Sequence, residues 1–238
     1  MSAENRRAAA PVKSRLGESG RSVADGPHGR LAPHPGAFHH GTMPDAPTED
    51  LDLTGKLLIA MPGMGDPRFE RAVIYICAYS DEAAMGLIVN RTAEDLTFQD
   101  LLKQLDIASG IELAPSRART PIYVGGPVEH GRGFVLHSTD YRSEGATLEV
   151  SPSFGMTATV DILEDMARGT GPRDAILALG YSGWGPGQLE GEITRNGWLT
   201  CDATPEIVFG TGNAEKWTKA LDSLGVDPRL LSGDAGHA

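Results

Sequence analysis

The 238-residue chain has 40% hydrophobic residues, enough for one or two domains with ordinary cores, and a formal net charge of −11. Residues 1–50 hold six Lys/Arg and six Asp/Glu, so the acidity belongs to the remainder, with 15 basic and 26 acidic residues. A surface that acidic repels phosphate backbones, and no basic cluster offsets it, so direct nucleic-acid binding is not expected.

No apolar run approaches the roughly 20 residues that span a bilayer, and the N-terminus has no apolar stretch of a secretory signal. Glu4, Glu18 and Asp25 interrupt any transit-peptide pattern. Cys77 and Cys201 lie far apart, outside any C-x-x-C pair, which fits a reducing, cytoplasmic compartment.

Residues 1–50 are poor in Val, Ile, Leu and Phe and rich in Pro, Gly, Ala, Arg and His. Such a stretch cannot bury enough apolar surface to offset the entropy of ordering, so a disordered arm is expected there, followed by one domain over 51–238. Met43 stands just before that domain and offers an alternative start. His28, His34, His39 and His40 are spaced too irregularly to read as a metal site.

Residues 56–60 read as a strand, stopped by the Pro/Gly-rich stretch 61–67. Residues 72–79 read as a central strand covered on both sides, with Val73, Tyr75, Cys77 and Tyr79 on one face and Ile74 and Ile76 on the other. A turn at 80–83 leads to a strand at 85–89. Thr97 with Asp100 predicts a capping box, opening a helix whose stripe is Phe98, Leu101, Leu102 and Leu105.

Strands are expected at 122–124, 133–137, 147–150 and 156–159, then a helix at 160–168 closed by Gly169. Residues 175–179 read as a strand running into the glycine-rich loop 180–187, with a helix over 188–196. Short strands follow at 198–201 and 207–209. A last helix is expected from Asn213, burying Trp217, Ala220, Leu221 and Leu224. Frequent consecutive strands favour a mixed sheet flanked by helices over regular βαβ alternation.

Gly180-Tyr181-Ser182-Gly183-Trp184 imitates a nucleophile elbow, but Trp184 occupies the last glycine position and His237 stands at the chain end. Gly183, Gly185 and Gly187 with Asp202 imitate a dinucleotide fingerprint that has Gln188 where its third glycine belongs. No P-loop motif is present. His130, His137, Glu129 and Asp140 lack metal-ligand spacing, so no metal and no cofactor are expected, and His137 reads as a hydrogen-bonded core or rim histidine. Cys77 reads as a small buried hydrophobe. Glu190 and Glu192, two apart on a helix, face different directions. Three loops remain, at 61–67, 125–133 and 180–187. They either make sharp turns or bring backbone amides close to a ligand, with Asp66, Arg132 and Gln188 supplying polarity.

Those loops also carry a resemblance. Leu58-Ile59-Ala60-Met61-Pro62, Asp66-Pro67 with Phe69, Ala84-Met85-Gly86-Leu87-Ile88-Val89-Asn90, Gly125-Gly126-Pro127-Val128, Arg132-Gly133-Phe134-Val135-Leu136-His137, Leu179-Gly180-Tyr181-Ser182-Gly183-Trp184, Gly187-Gln188-Leu189-Glu190 and Ala235-Gly236-His237-Ala238 together resemble the bacterial AlgH/YqgE family. The resemblance implies an α+β fold: a single domain with a bifurcated, partly barrel-like sheet flanked by helices. It also implies a cytosolic protein with a regulatory role in transcription. It supplies no catalytic residue, and the family often has alanine at the position of Ser182. The expected function is therefore non-enzymatic binding of a small ligand or protein partner through Met61, Pro62, Asp66, Gly125, Gly126, Pro127, Arg132, His137, Ser182, Trp184 and Gln188. An enzyme, or a nucleotide-binding protein using the glycine-rich loops, is the alternative.

Overall fold

A computed structural model of the chain describes residues 52–107, 110 and 113–231. The expected arm over 1–50, the start at Met43, the arm's histidines and the terminal motif with His237 lie outside these residues.

Period-two burial builds the sheet. In β2 (Val73–Tyr79), Val73, Tyr75 and Cys77 join one core cluster while Ile74 and Ile76 join another; Tyr79, expected with the first set, packs with the second, because the pairing register shifts between Ile76 and Ala78. The same split recurs in β9 (Ala175–Trp184), where Ile176 and Ala178 face one way and Leu177 and Leu179 the other. Strands apolar on both faces need cover on both sides. The inner face curls around the core closed by α5 (Lys216–Asp222), which buries Trp217, Ala220 and Leu221 there. The outer face is covered in two patches. Leu189 of α4 (Gln188–Thr194) packs with Ile74, Ile76, Trp184 and Trp198. Helices α1 (Phe98–Gln104) and α3 (Val160–Arg168) cover Ile122, Val135 and Leu177.

The remaining strands are β1 (Lys56–Ala60), β3 (Ala84–Ile88), β4 (Thr92–Thr97), β5 (Pro121–Val124), β6 (Val128–Ser138), β7 (Thr147–Ser151), β8 (Phe154–Thr157) and β10 (Trp198–Asp202), with a short helix α2 (Pro115–Ala118) before β5. The path runs β10-β1-β2-β3-β9-β6-β8-β7, with β4 and β5 branching off β9. The expected mixed, forked and partly barrel-like α+β architecture is what these strands form.

The fork lies in β9. Its first half pairs with β5 in parallel through Leu177, Ala178 and Leu179, and with β6 on its other side. Past Gly180 the place of β5 is taken by β3, where Ser182, Gly183 and Trp184 pair with Gly86, Met85 and Ala84. Gly180 adopts a left-handed conformation (φ +72°) at the changeover. Gly125 and Gly126, leaving β5, lie backbone on backbone against it: a Cβ at Gly125 would come 2.2 Å from Gly180 O, and one at Gly126 2.2 Å from the Tyr181 carbonyl carbon. These glycines let two main chains cross. The close approach anticipated at the glycine-rich loops is real here, but what approaches is another strand.

Several local expectations need correction. Residues 180–184 belong to β9 rather than to a loop, because a new partner, β3, continues the ladder. Likewise β6 begins at Val128, so His130 and Arg132 stand in a strand, and the second loop shrinks to Gly125, Gly126 and Pro127. Residues 207–209 form one π-helical turn behind Pro205, burying Ile207 and Val208 together. Asn213 does not cap α5; it accepts a hydrogen bond from Tyr123 Oη (3.1 Å). Leu105 and Leu224 are exposed at the ends of their helices. The capping box at Thr97 and Asp100 is present, and Gly169 ends α3 in the left-handed conformation.

Candidate functional site

The expected site residues fall into four places. Met61, Pro62, Asp66, Pro127, Trp184 and Gln188 line one cleft of about 690 Å³, together with Met64, Phe69, Glu192, Arg195 and Leu231. All three loops therefore contribute to a single concavity. Arg132 belongs to a neighbouring groove of about 600 Å³ with Tyr79, Phe134 and Tyr181, which shares Gly183 and Trp184 with the cleft. There its guanidinium sits 5.1 Å over the Phe134 ring and pairs with Glu129 at 3.3 Å. Gly125, Gly126 and Ser182 are buried behind the cleft at the strand crossing, and the Ser182 hydroxyl points at Gly125 O (3.5 Å).

His137 lies elsewhere, fully buried where β6, β8 and β9 meet. Its Nδ1–H donates to Ser138 O (2.9 Å), which leaves Nε2 to accept from the Thr157 hydroxyl (3.0 Å). Thr157 in turn accepts from Thr147 (2.8 Å), whose oxygen accepts from Ser143 N (2.9 Å). Every polar atom of the chain is used. Burial holds the His137 imidazole below its ordinary pKa, so the neutral form is favoured. His137 is thus the hydrogen-bonded core histidine the sequence suggested.

These placements separate the groups that an enzyme would need together. His137 pairs with Ala175 at the start of β9, and Ser182 stands seven residues further along. At about 3.3 Å per residue they are roughly 20 Å apart. Asp66 is engaged by Arg68, through Nε to Oδ1 (3.0 Å) and Nη2 to Oδ2 (2.6 Å), and these bonds hold its carboxyl below the usual carboxylate range. Hydrogen-bond reach, which proton transfer requires, is not met among Ser182, His137 and Asp66. Burial pushes the Cys77 thiol up, away from thiolate reactivity. Among the described residues no three His, Cys, Asp or Glu side chains are grouped as a metal site.

The nucleotide-like turn also has other employment. Gly185 N donates to Gln188 Oε1 (3.2 Å), and Glu190 puts a negative charge into the first turn of α4. The Glu190 carboxylate accepts from Tyr79 Oη (2.5 Å), which pushes that phenol up to about 12. Asp202, placed where a ribose partner would stand, pairs with Lys56 at 2.5 Å. An anionic phosphate would meet like charge and a spent amide here.

The cleft is built on rigid supports. Asn90 Oδ1 accepts from Val73 N, and its Nδ2 donates to Arg71 O (both 2.9 Å). Arg91 donates to the carbonyls of Arg68 and Glu70 (both 2.6 Å). The two side chains thus pin the first loop to the end of β3. Opposite, Glu192 accepts from Trp184 Nε1 (2.9 Å) and Trp198 Nε1 (2.8 Å) on one carboxylate oxygen, and from Gln188 Nε2 (2.9 Å) on the other. The two indoles meet edge to face, with centroids 6.1 Å apart.

Sequence weighs Glu192 only as half of a carboxylate pair with Glu190, and it does not name Arg195, Met64 and Phe69 as site residues. One signal was available: Gln188 and Glu192 are four apart and share a helix face. Glu190 and Glu192 do point apart, as their spacing requires.

The arrangement is a forked α+β sheet with a cleft of mixed polarity where three loops converge. The AlgH-like family model matches residues 57–229, and the chain belongs to that family. A UPF0301 protein of Ruegeria pomeroyi is 62% identical over 188 residues, covering 79% of this chain and all of the relative. A UPF0301 protein of Bradyrhizobium diazoefficiens is 49% identical over 232 residues, covering 96% of this chain and all of that protein, so its match reaches into the first fifty residues. The solution structure of the AlgH protein from Pseudomonas aeruginosa is 41% identical, with a TM-score of 0.64, covering 80% of this chain and 98% of that one. A crystal structure from Corynebacterium diphtheriae, 20% identical with a TM-score of 0.55 over 70% of this chain and 84% of its own, shares the fold. No helix among the described residues is long and apolar enough to cross a membrane.

Proposed function

We propose that this protein is a non-enzymatic binding protein of the cytosol, taking a small amphipathic molecule in the three-loop cleft and exerting a regulatory role through the bound state. One observation carries the reading: 61–67, 125–127 and 183–188, distant in sequence, converge on one cleft of about 690 Å³, a volume typical of small-ligand sites. The separation of Ser182, His137 and Asp66 supports binding over chemistry. The acidity of the folded part supports a ligand- or partner-mediated role over direct contact with nucleic acid.

Gly65 supplies the test. It lines the cleft, is exposed, and a Cβ there meets nothing within 4 Å, so a side chain can start from Gly65 without a clash, and Gly65→Trp adds bulk at the cleft wall. In a thermal-shift screen of small amphipathic molecules, a ligand should raise the Tm of the wild type. The Gly65→Trp protein should keep the wild-type Tm but lose that response. A stabilising ligand whose effect survives Gly65→Trp would place binding elsewhere and contradict the proposal.

A further inference from the structure

The kind of molecule the cleft accepts follows from the charges left over in its wall. Glu192 is held by three neutral donors, the two indoles and the Gln188 amide. These orient the carboxylate without neutralising it, and Glu192 enters no ion pair among the described residues. One of its oxygens carries two donors and is filled; the other carries one and can accept again.

Arg195 follows three residues later, at the end of α4. That spacing ordinarily lets Glu and Arg pair across a helix surface. Here the indoles draw Glu192 inward, while the Arg195 guanidinium lies back along Gly191, with Nη1 3.5 Å from where a Cβ would stand. Arg195 makes neither an ion pair nor a side-chain hydrogen bond among the described residues. Asp66 and Arg68, the other charges of the cleft, satisfy each other. The wall therefore keeps one negative and one positive group unneutralised, beside apolar surface from Met61, Met64 and Phe69.

Glu192 is half-buried, so a purely anionic ligand would cover its charge without a counter-charge, which is costly. Arg195 is exposed at the rim, where it can meet the anionic end of a ligand whose cationic end answers Glu192. We propose, resting on the ligand-binding reading above, that the cleft takes a small zwitterion with an apolar body, of the α-amino-acid class. Its ammonium meets the open oxygen of Glu192, and its carboxylate meets the Arg195 guanidinium, a fork that matches carboxylate geometry. The methionines and Phe69 receive the apolar body, thioethers being adaptable contacts.

Four probes with the same side chain separate the two charges: L-phenylalanine, its amide, its N-acetyl form and the N-acetyl amide. Affinities are measured by calorimetry on the full chain, as wild type, Glu192→Gln and Arg195→Gln. Glu192→Gln keeps an oxygen for both indoles, so its Tm serves as the control for folding. The wild type should bind phenylalanine about tenfold or more tighter than either singly blocked probe, the scale of a charge-assisted hydrogen bond. Glu192→Gln should cease to distinguish phenylalanine from its N-acetyl form, and Arg195→Gln should cease to distinguish it from its amide. Equal binding of phenylalanine and the doubly blocked probe by the wild type overturns the zwitterion while leaving the cleft reading intact. So does failure of all four probes when some other screened molecule responds to Gly65→Trp. Failure of all four with no molecule responding to Gly65→Trp defeats both.

Discussion

At the Ala175 end of β9, His137 sits in a polar chain that begins at a backbone carbonyl and ends at a backbone amide, with each donor matched to an acceptor. At the Trp184 end, Glu192 is gripped as firmly, yet by neutral groups only, and it faces a cleft. Both centres tie neighbouring elements together. The first has no capacity left for anything else; the second retains charge and an open acceptor site. Buried polar groups are expected to be satisfied whatever their purpose. Possible function is therefore marked less by a polar residue in the core than by polar capacity left over in a concave wall.

Four substitutions, two of them read through the pH dependence of stability, can break or sharpen this contrast. Gly126→Ala should have the largest effect, because its Cβ would meet backbone on the opposite strand and joins both ends of β9 in the damage. A loss of more than about 3 kcal/mol in denaturant unfolding, or failure to fold, is expected, since main chain cannot yield as a side chain can.

Next comes Lys216. Its ammonium is buried against Val89 O (2.7 Å) and the Tyr123 ring, with no carboxylate partner, and burial pulls its pKa down to about 8. The unfolded chain then binds the proton more tightly than the folded one between about pH 8 and the ordinary lysine value of 10.5. Stability should therefore rise with pH across that window, by an amount on the order of 2 kcal/mol, and Lys216→Met should flatten the rise.

His137 should behave alike at lower pH. Its folded pKa lies below the ordinary histidine value of 6.5, so its contribution is complete above about 6.5 and is lost as pH falls through the folded value. His137→Gln should remove that part of the acid limb, measured by denaturant midpoints at a series of pH values. Glu192→Gln should have the smallest effect on stability, under about 1 kcal/mol, because the indole hydrogen bonds survive. An equally mild effect from His137→Gln and Glu192→Gln, both on folding and on ligand binding, would erase the distinction between the two ends.

Much of this frame is legible in the sequence where local physics decides it. The alternation of Val73, Tyr75 and Cys77 against Ile74 and Ile76, the capping box at Thr97, and Gly169 at the end of α3 are all local devices, and each forms as read. What local patterning could not supply is the place of the fork, whose existence is implied only by the resemblance. Nothing within 180–187 announces that β9 exchanges β5 for β3, so a strand reads as a loop, and the glycines read as a ligand cradle when they serve a crossing. The three loops could be recognised as unusual; their convergence depends on long-range pairing. Glu192 is weighed from sequence only against Glu190; its indole partners, eight residues before it and six after, stand on β9 and β10, at spacings that no helix periodicity links to it.

The central claim is that the cleft beside Trp184 and Trp198 takes a zwitterion with an apolar body, of which L-phenylalanine is the probe. The chain has three tryptophans, and the third, Trp217, donates its indole N–H to Ala60 O (2.8 Å) within the inner core. Indole N–H resonances in a two-dimensional NMR titration with L-phenylalanine therefore report directly on the site. The account predicts that the Trp184 and Trp198 signals shift together and saturate while Trp217 stays in place. A shift confined to Trp217, or no response from the pair that holds Glu192, would contradict it.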